Sequence, residues 1–199
     1  MLDKNYSAGM VCKVFAFVET RKTAELMNQG YTEEEIIKKV KEENIYQLRA
    51  EERKLRTYRY IKDRLKALPE EAVKMLPTLD ADNAKILILI GVMKTDQLFF
   101  EFVYEVYRNK VILGENTIDN RDLNQFFDDK INQSEKVRSW SESGIKKLKN
   151  CYIKNLVDAG LVENAKSRVI KVPLVDYRIQ ELLKKNDMDV YLAAVKGDR

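Results

Sequence analysis

Carboxylates that could act as acids, bases or metal ligands are dense at one place only, Asp119, Asp122, Asp128 and Asp129. On a single helix Asp122 and Asp129 fall two turns apart on one face, a spacing a metal-dependent nuclease could use. No lysine or histidine stands in register to complete such a centre, so the group reads as solvated surface. Glu33–Glu35 reads as the start of a helix. Histidine is absent from all 199 residues. That removes Ser-His-Asp and Cys-His nucleophile systems, HExxH zinc sites and imidazole acid–base pairs. Cys12 and Cys151 have no CxxC spacing, so neither a zinc cluster nor a redox motif is present. They could form one bridge, but a chain of this length builds a core without it, and both are expected as reduced thiols. The expectation is a protein that is not an enzyme, with no metal and no cofactor.

The remaining chemistry is cationic. Net charge is only +4, but its distribution is uneven. From Arg53 to Lys66 seven basic residues face one acid, Asp63. From Ser134 to Lys171 nine face Glu135, Glu142, Asp158 and Glu163, while 117–133 between them is net −2. Two basic islands on a near-neutral body suit a polyanion binder. The plainer alternative is a pair of solvated helix faces. Arginine outnumbers lysine in the first island, and its planar fork suits bidentate phosphate contacts.

The elements that must position these cations are mostly helical. An apolar pattern from Val11 to Asn28 stops at Gly30, and Thr32 with Glu35 forms a capping box for the next helix. A long helix is predicted from about Ile45 to Leu68, with Leu48, Leu55, Tyr58, Ile61, Leu65 and Leu68 inward. Arg49, Arg53, Arg56 and Arg64 share another row with Tyr60, and Arg59 belongs to the same basic run. Pro69 opens a short helix that Pro77 ends. Asp80 or Asp82 caps the apolar helix to Val92, and a further helix runs from Gln97 to about Val111 with an aromatic inner side. The most hydrophobic stretch, Ile86–Met93, is far short of the about 20 residues a membrane span needs. With a charged, polar opening (MLDKNYSAGM) and no span, a cytoplasmic protein away from the membrane is expected.

Gly114, Asn116 and Asn120 mark a boundary between two expected units, 1–114 and 115–199. The second unit starts with a helix from Asp119 through Ile131 and a polar turn. Ser141 or Ser143 then caps a helix to about Ala159, with Ile145, Leu148, Tyr152 and Leu156 inside. Its other face shows Lys146, Lys147, Lys149, Asn150 and Lys154. Leu161–Glu163 and RVIKV read as a two-strand hairpin carrying Lys166, Arg168 and Lys171. Helix, turn, helix and hairpin in that order is the shape of a winged helix-turn-helix, in which one helix enters the major groove and the wing grips phosphates. A last helix spans Asp176–Lys185, and DMDVYLAAV is expected to pack back onto the body. The fold class is mainly α, a helical bundle followed by a winged helix with a small hairpin.

These segments resemble a known family. YSAGMV, VKEENIYQLRAEERKLRTYRYIKDRLKAL, FVYEVYRNKVIL, FFDDKI, WSESGIKKLK and NLVDAGLVE, in that order, are similar to the BrxA family of BREX phage-defence systems, from about Tyr6 to Leu192. The family once carried an inner-membrane label, with which this sequence disagrees because no segment could span. The resemblance implies a NusB-like N-terminal bundle, a winged-helix portion and a DNA-binding role in a multi-protein defence locus, with other BREX proteins as partners. It implies duplex-DNA contact at Arg49, Arg53, Arg56, Arg59, Lys146, Lys147, Lys149 and Lys154, to which the hairpin adds Arg168 and Lys171. It carries no catalytic motif. A winged-helix transcription regulator or an RNA-binding, antitermination-like factor would use the same islands, and a regulator would show one strong preferred site.

Overall fold

The structure, a computed structural model, describes residues 6–198. Residues 1–5, half of the opening stretch read above for a targeting signal, lie outside them. The chain is mainly helical, and local hydrogen bonds set most boundaries. α1 (Phe17–Asn28) ends just before Gly30, whose φ of 85° only glycine adopts cheaply. At the start of α2 (Glu33–Lys41) the Thr32 hydroxyl accepts from the Glu35 N–H, and the Glu35 carboxylate accepts from the Thr32 N–H. α3 (Glu51–Lys66) and α4 (Glu70–Met75) follow. Asp80 rather than Asp82 caps α5 (Ala81–Thr95), accepting from the N–H groups of Asp82 and Asn83. α6 (Gln97–Phe102), a π-helical turn (Val103–Tyr107) and α7 (Arg108–Leu113) make one continuous rod that reaches two residues past the expected Val111. α8 (Asn120–Gln133), the short α9 (Glu135–Arg138), α10 (Glu142–Ala159), α11 (Tyr177–Lys185) and α12 (Asp189–Lys196) complete the chain. Ser141, not Ser143, caps α10 by accepting from the Gly144 N–H. α9 falls inside the stretch read as a polar turn, started by Ser134, which accepts from the Val137 N–H.

α5 is the axis of the molecule. Ile86 to Met93 are all buried because α1, α3, α6, α10 and α12 pack around this helix. Apolar residues on every side are what such a position demands. α3 comes so close at Gly91 that a Cβ there would lie 3.0 Å from the Arg64 carbonyl oxygen. Phe99 and Phe102 of α6 meet Phe126 and Phe127 of α8 and Tyr152 of α10, with ring centroids 5.1–5.6 Å apart. These rings join residues on both sides of Gly114 in one cluster of buried side chains. Among the described residues no helix is long and apolar enough to cross a membrane.

Three expectations need correction. The helix expected from Val11 is a 3-10 turn, Gly9–Cys12, and α1 begins only at Phe17. Arg64 of α3 takes the carbonyls of Val14 and Phe15 at 2.8 and 3.1 Å, and Ala16 turns left-handed at φ 58°. A helix through those residues would need the same carbonyls for itself. The helix expected from Ile45 begins at Glu51, so Arg49 precedes it in an irregular segment. There Asn44 and Gln47 are left-handed, the Asn44 side chain accepts from the Leu48 N–H, and Lys22 holds the Ile45 carbonyl. The hairpin is reduced to a single antiparallel bridge, Val162 with Ile170, and gains a third segment, since Thr117 bridges Val169. Ile170 donates to the Asn116 carbonyl and Lys171 to that of Leu161, so the segment before α8 closes this small ladder.

Candidate nucleic-acid interface

The first island is smaller in three dimensions than in sequence. Arg64, placed above in the outward row, is 2% exposed, and Tyr60 beside it is buried too. The Arg64 guanidinium stacks over the Tyr60 ring at 4.7 Å while tying down the loop before α1. Burial pushes its pKa down to about 10, so it stays charged at neutral pH. Lys62 and Lys66 both turn to Glu33 of α2, whose carboxyl the Lys62 hydrogen bond holds below its ordinary range. Lys54 donates to the Lys41 carbonyl. Arg49, Arg53, Arg56 and Arg59 are exposed and make no side-chain hydrogen bond or ion pair among the described residues.

The second island is organised differently. Lys146 and Lys147 are exposed on α10 with no side-chain partner among the described residues. Lys149 is half-buried; it donates to the Asn124 side-chain oxygen of α8 at 2.7 Å and lies over the Phe127 ring at 5.5 Å. Arg168, half-buried and left-handed at φ 50°, donates to the Asn120 side-chain oxygen at 2.6 Å and to the Ala165 carbonyl. Lys171 is exposed, with its backbone fixed at both ends: its N–H donates to Leu161 and its carbonyl accepts from the buried Tyr107 hydroxyl. Lys154 departs from this pattern, because it pairs with Asp158 one turn on. α8, α10 and Arg168 enclose a groove of about 550 Å³ whose rim includes Asn120, Asn124, Lys146, Lys149, Asn150 and Arg168. Asp128 and Glu142 also line it.

Of the ten residues singled out as DNA-facing, the structure gathers Lys146, Lys149 and Arg168 at that groove, with Lys147 exposed beside them on α10. Arg49, Arg53, Arg56 and Arg59 stand on or just before α3, and Lys154 and Lys171 are not among the residues lining the groove. Sequence reasoning missed Asn120 and Asn124, which orient two of the cations; at separations of 48 and 25 residues no local signal marks them.

The acidic stretch does have a lysine partner. Lys110 of α7, buried, lies 3.0 Å from Asp122 and also pairs with Glu115. Asp122 accepts from the Asp119 N–H as well and so helps start α8. Lys130, 3% exposed, reaches Glu101 and Glu105 at 2.6 and 2.8 Å, and Tyr6 donates to Glu101. These ion pairs join α6, the π turn and α7 to α8. No group of three or more His, Cys, Asp or Glu residues among the described residues could hold a metal ion.

Fold and surface together define a mainly helical protein wound around one buried helix and displaying two unequal sets of exposed cations. The chain belongs to the BrxA family, whose model matches residues 4–187. It is 34% identical to the BREX protein BrxA of Bacillus cereus (strain H3081.97) across 98% of both chains. It is 20% identical to the BREX protein BrxA of Paramagnetospirillum magneticum (strain ATCC 700264 / AMB-1), again across 98% of each. A crystal structure of an uncharacterized protein from Magnetospirillum magneticum shares the fold, with a TM-score of 0.81 at 20% identity over 96% of this chain and 98% of that one.

Proposed function

We propose that this chain is a non-catalytic, duplex-DNA-binding component of a BREX phage-defence system, acting beside other proteins of that system. Family membership supports the defence role, since the matched relatives are named BREX proteins. One observation carries the DNA reading: Lys149 and Arg168 are held by the neutral amides of Asn124 and Asn120. A cation held by a carboxylate has given up most of its field, whereas one held by an amide is oriented and keeps its charge for a polyanion. The order Thr117 segment, α8, α9, α10, Val162–Ile170 pairing supports reading residues 115–199 as a winged helix, with α10 toward the groove and Arg168 and Lys171 on flanking phosphates. Residues 1–114 are read as the NusB-like bundle, its exposed arginines adding a second phosphate-contacting surface.

The experiment is a set of fluorescence-anisotropy titrations on duplex DNA, single-stranded DNA and structured RNA. If about six phosphates are neutralised, duplex affinity falls roughly a thousandfold between about 50 and 200 mM salt. A flat salt response, or no duplex binding at low salt, overturns the reading. One strongly preferred duplex sequence points to a transcription regulator, and preference for RNA to an antitermination-like factor.

A further inference from the structure

The N-terminal strap, residues 6–16, crosses several layers of the molecule. Tyr6 donates to Glu101 of α6 at 2.7 Å, Met10 is buried, and Val14 and Phe15 are held by Arg64 of α3. Between these anchors the 3-10 turn Gly9–Cys12 packs on α10, their Cα atoms approaching within 8 Å. Cys12 closes that turn and is exposed; Cys151 lies midway along α10 and is partly exposed. A disulfide joins Cα atoms about 4.4–6.8 Å apart, and the turn that Cys12 closes meets the helix that carries Cys151. Burial, and after it the charge of Cys12, push the Cys151 thiol up.

We propose that Cys12 and Cys151 form a redox-modification site, a reversible disulfide that fastens the N-terminal strap to α10. The oxidant is a small-molecule disulfide of the glutathione class. The exposed Cys12 thiolate attacks one oxidant sulfur, breaks the oxidant's S–S bond and displaces the other half as a thiol. The Cys151 thiolate then attacks the Cys12 sulfur of the mixed disulfide, forms the Cys12–Cys151 bond and releases the second small thiol. Both cysteine protons end on the released thiols, and two electrons pass to the oxidant. The raised Cys151 thiol makes the second step slow at neutral pH and faster in mild alkali. The site does not depend on the DNA reading, although the helix it fastens carries Lys147 and Lys154.

The full chain is incubated with glutathione disulfide at mildly alkaline pH and examined by intact mass and non-reducing peptide mapping. The expected product is a monomer lighter by two hydrogens, with the peptides carrying Cys12 and Cys151 linked. Cys151→Ser should trap glutathione on Cys12, and Cys12→Ser should abolish the crosslink. A stable glutathione adduct on Cys12 of the unsubstituted protein, or dimers joined through Cys12, overturns the proposal. The oxidised monomer is also expected to melt at a higher temperature. A lower one means the strap must leave its seat to react, which contradicts the packing on which the pairing rests.

Discussion

The two basic stretches carry similar formal charge and are used in unlike ways. Of the seven cations from Arg53 to Lys66, one is sealed in the core, two turn toward Glu33 and one donates to a backbone carbonyl. What remains is Arg53, Arg56 and Arg59, joined by Arg49 from the preceding segment. In the second stretch Lys149 and Arg168 are positioned by asparagines, and Lys146, Lys147, Lys166 and Lys171 have no side-chain partner among the described residues. The charge of a window therefore overstates the field it projects when the fold draws its cations inward or pairs them with acids. What matters is the kind of partner: a carboxylate cancels, an amide aims.

The comparison breaks most sharply at Arg64. Arg64→Ala removes the donor that holds the Val14 and Phe15 carbonyls and leaves a cavity beside the Tyr60 ring, and is expected to lower stability by about 3 kcal/mol in urea unfolding. Arg53→Ala or Arg56→Ala should stay within about 0.5 kcal/mol. If Arg64→Ala folds as well as its parent but loses DNA, Arg64 belongs with the binding cations and the contrast fails.

Next in size is Lys146→Ala combined with Lys147→Ala. Duplex affinity at moderate salt should drop roughly tenfold or more, and the slope of log affinity against log salt should shrink by about two, one per lost contact. Arg53→Ala with Arg56→Ala should act in the same direction but less, because those side chains are not among the residues lining the groove where Lys149 and Arg168 are oriented. The reverse ranking, from titrations over the same salt series, would move the principal DNA face to α3.

Smaller effects sharpen the role of the amides. Asn124→Ala and Asn120→Ala keep every charge but free Lys149 and Arg168 to spread over more rotamers. Each should weaken duplex binding by about two- to fivefold with the salt slope unchanged. A slope that fell by one would mean the cation itself had been lost from the interface. Smallest of all is Asn150→Ala, expected to change affinity less than about twofold and to leave sequence preference alone. An adenine contact would be worth about 1–3 kcal/mol of discrimination, so a selection experiment in which this variant loses a preferred sequence would recast the protein as a sequence reader.

Much of the helical framework was legible in the sequence because the interactions that set it are short-ranged. Gly30, the Thr32–Glu35 box, Asp80, Ser141 and Gly160 start or stop helices through hydrogen bonds or backbone preferences spanning four residues or fewer. The apolar stripe of α10, the all-apolar character of α5 and the lack of imidazole chemistry are likewise properties of local order and composition. The exceptions fall where distant partners intervene. Arg64 reaches carbonyls 49 and 50 residues away and cuts short the helix expected before it. Lys110 of α7 finds Asp122 on α8, Lys130 of α8 finds Glu101 on α6, and the Thr117 segment finds Val169 after three helices have passed. By itself the sequence determined most of the helical segments, which residues are apolar enough for a core, and how many cations are available. Only the tertiary structure decided which of those cations are buried, which are cancelled, which are aimed by Asn120 and Asn124, and that Cys12 lies beside α10. Apart from the Lys154–Asp158 pair one turn apart, these depend mostly on groups brought together from distant parts of the chain, and periodicity along a helix carries no information about such partners.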